Sequence, residues 1–420
     1  MSKIIISNVR IVDPENDTDS IGNIFIKDGV FSEPFDDAAD TSIDGTGLCA
    51  VPGLVDLHVH LRDPGQTYKE DIITGCRSAA AGGVTSLLAM PNTIPAVDSP
   101  ETVAYILDKA KNADAHVYVV GAITHDLKSK TPTDIDALKK AGISALSDDG
   151  RPVENTAFMA AAMKKAYELG IPVTAHCEDP YLAGGKVNEG RISEMLGVKG
   201  MPAAAEDTGT AREIALAEAY DLPIHICHVS TATSAAMIRD AKKRGVKVTA
   251  ETAPHYIMLT ESQLEKRDAD YRMNPPLRTE KDRIAMIEAL CDGTIDAIAT
   301  DHAPHSEEEK SDFVNAPNGS IGMETSFSAS YTVLVKSGKM TLSQLIRKMS
   351  CIPANILHIN AGSLSLGRPA DLMLFDPNET WIVDPDKFHG KSKNSPFKEL
   401  TLTSKVKLTV CGGKIVFNEI

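Results

Sequence analysis

No CxxC pair occurs in this chain, and its seven cysteines are scattered singly, at 49, 76, 177, 227, 291, 351 and 411. An odd, dispersed set argues against a disulfide framework, so reduced thiols in a cytoplasmic protein are expected. Basic runs are missing too. Acidic residues outnumber basic ones, 58 to 43, for a formal net charge of −15. Phosphate-backbone binding needs clustered Lys and Arg, which argues against a nucleic-acid partner. An anionic small molecule needs only one or two local cations and stays open. No apolar stretch approaches the roughly 18–20 residues of a membrane helix, and the opening "MSKIIISNVRIVDPEND" has no apolar signal-peptide core, so no membrane partner is expected.

What is present is ordinary globular composition, 42% hydrophobic and 24% charged, in a chain of 420 residues. That length allows a large core and more than one domain. Both ends read as short strands and turns. "KIIISNVRIVD" alternates apolar positions, and "GNIFIKDGVF" carries a Lys-Asp-Gly turn. Near the C-terminus, "ADLMLFDP", "TWIVD", "KVKLTV" and "CGGKIVFN" look alike, the last with a Gly-Gly hairpin signal.

The middle alternates apolar strands with helical stretches. Candidate strands cover 52–58, 84–92, 116–124, 143–149, 172–178, 223–230, 247–255 and 297–304. Helical segments such as "ENTAFMAAAMKKAYELG" and "SAAMIRDAKKRG" lie between them and end in Gly. Eight βα units in about 250–300 residues predict an α/β fold, a (β/α)8 TIM barrel. The barrel is expected over 51–363. A small β-sandwich domain would be built from both termini, 1–50 and 364–420.

Active sites of such barrels lie at the C-terminal ends of the strands. Here those ends carry His58 and His60, then Asn92, Asp148-Asp149, His176, His228, and Asp301 with His305 beyond. Residues i and i+2 of a strand share a face, so His58 and His60 can bind one ion. Imidazole with carboxylate suits zinc and similar divalent metals. Four His and two Asp exceed one tetrahedral ion and fit a two-metal centre with a bridging carboxylate. A lone HxH carries little weight; the convergence of six strand-end ligands carries the reading. His225, His255 and His302 are expected to be structural, and His116, His125, His358 and His389 to lie at the surface or behind the site. Cys177 and Cys227 are expected to pack behind the barrel.

With "VDLHVHLRDPG", "GVTSLLAMPNT", "SALSDDG", "TAHCED", "ICHVST", "MNPPLR", "ATDHAPH" and "GRPADLMLFDP" in order, nearly the whole chain resembles the cyclic amidohydrolases. Among them it resembles the dihydroorotase family, in the class that uses an aspartate where hydantoinases and allantoinases place a carboxylated lysine. The fourth strand ends in "SDDGRP", with no lysine. The resemblance implies that His58, His60 and Asp301 hold one zinc and His176 and His228 another. Asp149 would stand between them, favoured by its spacing to His176, with Asp148 as the fallback. It implies Asp301 as the proton-transferring residue. Arg62 and Asn92, helped by Asn274 and His305, would bind the substrate carboxylate, and the backbone at Gly322 the ring amide; "SIGMET" departs from the commoner family forms there. The implied reaction is reversible closure of N-carbamoyl-L-aspartate to L-dihydroorotate, in pyrimidine synthesis. A homodimer, with or without other pathway enzymes, is implied as well. Two alternatives are another cyclic amidohydrolase, disfavoured by Arg62 and the missing lysine, and a silent subunit, disfavoured because every expected ligand is present.

Overall fold

The structure is a computed structural model and describes residues 3–35 and 38–420. Five strands open the chain: β1 (Lys3–Asp13), β2 (Thr18–Lys27), β3 (Val30–Phe31), β4 (Thr41–Asp44) and β5 (Cys49–Pro52). The barrel strands begin with β6 (Leu54–Val59), β7 (Val84–Ala89), β8 (His116–Ala122), β9 (Ala145–Ser147) and β10 (Thr174–Ala175). After an excursion carrying the pair β11 (Val187–Asn188) and β12 (Gly200–Met201), they continue with β13 (Ile224–Ile226), β14 (Val248–Thr252) and β15 (Ala297–Ile298). The chain closes with β16 (Leu372–Ile382), β17 (Thr401–Cys411) and β18 (Lys414–Asn418).

The eight barrel strands are parallel and apolar because both of their faces are covered. They form two four-stranded halves, β6-β7-β8-β9 and β10-β13-β14-β15. Single parallel bridges, Leu146↔Val173 and Val59↔His302, join the halves into a ring. Several ladders are shorter than the apolar runs suggest: the run 172–178 supplies only Thr174–Ala175. The polar residues after each ladder leave it and turn into the mouth. Helices wrap the outside. The one over Thr156–Glu168 starts where the Asn155 side chain accepts the N–H groups of Ala157 and Phe158, satisfying donors that the helix itself cannot.

The terminal strands form one eight-stranded sheet, ordered β18-β17-β16-β5-β1-β2-β3, with β4 also on β1. The expected sandwich is thus a single sheet curled on its own core, which includes Ile6, Ile26, Phe31, Leu372, Leu374, Leu408 and Val410. Its two tight hairpins turn at Asp28-Gly29 (φ 55° and 87°) and Gly412-Gly413 (φ 54° and 74°). Both positions of a type I′ turn need positive φ, which explains these residues. Only Gly53 separates β5 of this sheet from β6 of the barrel.

Candidate metal centre and substrate cavity

His58 and His60 reach the mouth from the end of β6, where the register against β7 shifts between Asp56 and Val59. Asp56 fastens this end: it accepts the N–H groups of His58 and Thr300 and the Thr300 hydroxyl. The other expected ligands follow β9, β10, β13 and β15. Nε2 of His58 lies 3.2 Å from Oδ2 of Asp149, and Nε2 of His60 lies 3.5 Å from the same oxygen. The opposite oxygen, Oδ1, lies 3.4 Å from Nδ1 of His176 and 3.4 Å from Nε2 of His228. Each carboxylate oxygen of Asp149 therefore faces one imidazole pair. Asp301 sits beside the first pair, its Oδ1 3.1 Å from Nε2 of His60 and 3.6 Å from Nε2 of His58.

These spacings can be tested against a metal. Bonds of about 2.0–2.1 Å to a tetrahedral ion hold its ligand atoms roughly 3.3 Å apart, which is the separation found around Asp149. Nε2 of His58 is buried and has no hydrogen-bond partner, as a nitrogen reserved for a cation would be. The donor set fits a divalent ion of the zinc type. Burial pushes the Asp149 carboxyl up, but the His58 charge and the bonds from His176, His228 and His58 outweigh it and hold the group well below the usual range. Asp301 behaves likewise: burial raises it, and the imidazoles, led by the bond to His60, bring it to about 2.

The neighbouring Asp148 does other work. It accepts the N–H groups of Ile123 and Thr124 and the Thr124 hydroxyl, joining the ends of β8 and β9 away from the imidazoles.

The centre opens into a cavity of about 270 Å³ that Arg62, Asn92, Asn274 and His305 also line. Arg62 is buried with φ 61°. Burial lowers its pKa to about 10, so it stays charged at neutral pH. Its Nε donates to the Pro304 carbonyl, and Nη2 lies 3.3 Å from Nε2 of His305. Asn92 turns its Oδ1 to Nδ1 of His60, 2.7 Å away, leaving its amide nitrogen for the cavity. Asn274 donates to Glu178, and its Oδ1 is buried without a partner.

Gly322 is not brought to the cavity. Its N–H donates to Nδ1 of His302, 3.2 Å away, and the glycine of this loop on the lining is Gly319, beside Asn318. The bridge His302↔Ser320 carries the loop past the mouth at that earlier point.

Among the other histidines, His255 and His302 are buried and His225 lies inside the barrel behind His58. His116, His125 and His389 form half-exposed ion pairs with Asp371, Asp98 and Glu324. Cys227 departs from expectation: its thiol lies within 4.8 Å of ligand atoms of His58 and Glu251, inside the barrel.

Two further residues carry no expectation from sequence. Glu251 on β14 accepts Nδ1 of His58; its signal is a charge in an otherwise buried strand. Lys69 places Nζ 3.3 Å from Nδ1 of His305 and 2.9 Å from Glu309. All seven cysteines are free, and no helix among the described residues is long and apolar enough to cross a membrane.

A barrel with this His/Asp-lined mouth is the architecture of the metal-dependent amide hydrolases, and a profile described as the amidohydrolase family matches residues 49–416, so the chain belongs to that family. Within it, the chain stands with the dihydroorotases. It is 48% identical over 421 residues to the dihydroorotase of Geobacter metallireducens, and 47% identical over 422 residues to that of Acetivibrio thermocellus, with 99% of each chain covered in both cases. Among solved structures it is similar to the L-hydantoinase of Arthrobacter aurescens, with a TM-score of 0.89 at 25% identity over 100% of this chain and 97% of that one.

Proposed function

We propose that this chain interconverts N-carbamoyl-L-aspartate and L-dihydroorotate with the help of one or two zinc ions. The observation that carries the reading is one cavity that joins a two-faced carboxylate, Asp149, to a buried and charged Arg62. Kinship with relatives named dihydroorotase supports it.

His58, His60 and Asp301 would hold one ion, His176 and His228 the second, with Asp149 between them. When bound, the ions supply positive charge that acidifies an attacking water and polarises the ring amide carbonyl. The remaining work belongs to side chains. The Arg62 guanidinium holds the substrate's free carboxylate, a match for its parallel N–H groups, with His305 and the Asn92 amide alongside. Asn274 offers its unpartnered Oδ1 to a ring N–H. In the hydrolytic direction a C–O bond forms at the ring carbonyl while Asp301 takes the water's proton. Asp301 then gives that proton to the ring nitrogen as the C–N bond breaks. Cyclisation is the same path reversed, and serves pyrimidine synthesis. A cytoplasmic location fits the seven free thiols. A homodimer, and association with other enzymes of that pathway, follow from the family resemblance.

The test is turnover of L-dihydroorotate by the zinc-loaded protein, with hydantoin as a ring that lacks the carboxylate. Dihydroorotate should be hydrolysed, a chelator should stop the reaction, and zinc should restore it. Turnover of hydantoin without dihydroorotate would move the assignment to the hydantoinase side, where the solved structures lie. Turnover of neither would leave a silent subunit.

A further inference from the structure

Behind the centre, on the side away from the cavity, buried side chains and a partly buried threonine make a continuous line of hydrogen bonds. Nδ1 of His58 lies 3.1 Å from Oε1 of Glu251, and Oε2 of Glu251 lies 3.1 Å from Nε2 of His225. Nδ1 of His225 lies 2.9 Å from the Thr249 hydroxyl. An ionised carboxylate only accepts. Both His58 Nδ1 and His225 Nε2 therefore carry protons, and Thr249 donates to His225. With a cation bound, His58 would present its Nε2 lone pair on the side of Asp149 and Asp301. His60 is held by a neutral group instead, the amide oxygen of Asn92. On the opposite side, Nε2 of His176 meets Glu178 only at 3.8 Å, beyond hydrogen-bond reach.

We propose that Glu251 is a positioning residue that locks His58 in its ligating tautomer and makes the His58–His60–Asp149 position the tighter of the two cation positions. The proposal rests on the metal reading of the site. Among the described residues Glu251 forms ion pairs only with His58 and His225, and with no Lys or Arg. Its two carboxylate oxygens are thus each committed to one imidazole. With a cation on the far side of the His58 ring, the carboxylate strengthens the imidazole as a donor. A merely structural residue would leave both the zinc affinity and the position of the His58 proton unchanged.

The experiment compares the wild-type chain and Glu251→Gln in zinc affinity, by chelator competition, and in Tm with and without zinc. The tightest zinc should weaken by about ten- to hundredfold, and the zinc-induced rise in Tm should shrink with it. Unchanged zinc affinity, with a zinc-induced rise in Tm equal to that of wild type, would overturn the proposal. The ¹⁵N-imidazole spectrum of the zinc-loaded wild type gives a second measure should the variant not fold. A proton on Nδ1 of His58 is expected, and a proton on Nε2 overturns the assignment. A wild-type chain that binds no zinc would remove the metal reading itself, an outcome distinct from wild-type binding that Glu251→Gln leaves untouched.

Discussion

Arg62, His228 and Asp301 reach the mouth through left-handed backbone, at φ of 61°, 36° and 49°. Such angles in non-glycine residues cost about 1–3 kcal/mol each and persist where surrounding bonds over-determine them. Asn tolerates this region well, so Asp301→Asn should keep the fold while losing the proton acceptor. Turnover should fall by about 10²–10⁴-fold with an unchanged circular dichroism spectrum; near-wild-type kcat would refute the proton role. Arg62→Met removes charge-assisted bonds worth about 1.5–3 kcal/mol each. KM for dihydroorotate should rise by roughly one to two orders of magnitude, with kcat changed far less; an unaltered KM would count against the carboxylate contact. At this scale the sequence is most legible where spacing alone does the work, as in the i, i+2 pair His58 and His60. The charge within "VTAET" marks Glu251 as unusual, but its role is illegible because its partner His58 lies 193 positions away. Gly322 lies off the cavity lining: "NGSIG" offers two glycines, and only the bridge to His302 decides which one meets the cavity.

At the level of elements, the count of eight strands follows from apolar runs, but their lengths do not. A run such as 143–149 contains both ladder residues and the two aspartates that leave it. Ladder length is set by neighbouring strands, and by clamps such as Asp148 on the end of β8, which local pattern cannot encode. The passage from the small sheet into the barrel is equally a matter of neighbours. A Cβ built on Gly53 would lie 2.8 Å from the Thr85 Cβ on β7, closer than real carbon contacts allow. Gly53→Ala should therefore lower stability by about 1–3 kcal/mol through overpacking, read as a shift of the urea midpoint. A midpoint equal to wild type would show that β7 yields freely at Thr85.

Across the whole molecule, His116 at the start of β8 pairs with Asp371, which also accepts the N–H of Gly412 in the terminal sheet. The bond to Asp371, with lesser help from Cys411, lifts the His116 pKa from 6.5 to about 10. A group raised on folding stabilises fully below its unfolded value and loses that contribution as pH climbs to the folded one. His116→Gln should thus destabilise the protein most below about pH 6.5 and hardly at all near pH 10. The side chain is 41% exposed, so the loss should stay below about 1 kcal/mol. Denaturation midpoints at the two extremes check this, and a larger loss in alkali would reverse the assignment.

The sheet that joins the termini also bears on biosynthesis. Strand β5, the lead-in to the barrel, pairs on one side with β1 and on the other with Leu372–Phe375 of β16. Until those residues leave the ribosome, more than three hundred positions later, β5 presents an open edge, which is a template for unwanted pairing. Contacts so distant in sequence form slowly. Newly made chains therefore depend on their last segment to close the fold, and a nascent chain stalled before β16 is the form most exposed to aggregation and to chaperones.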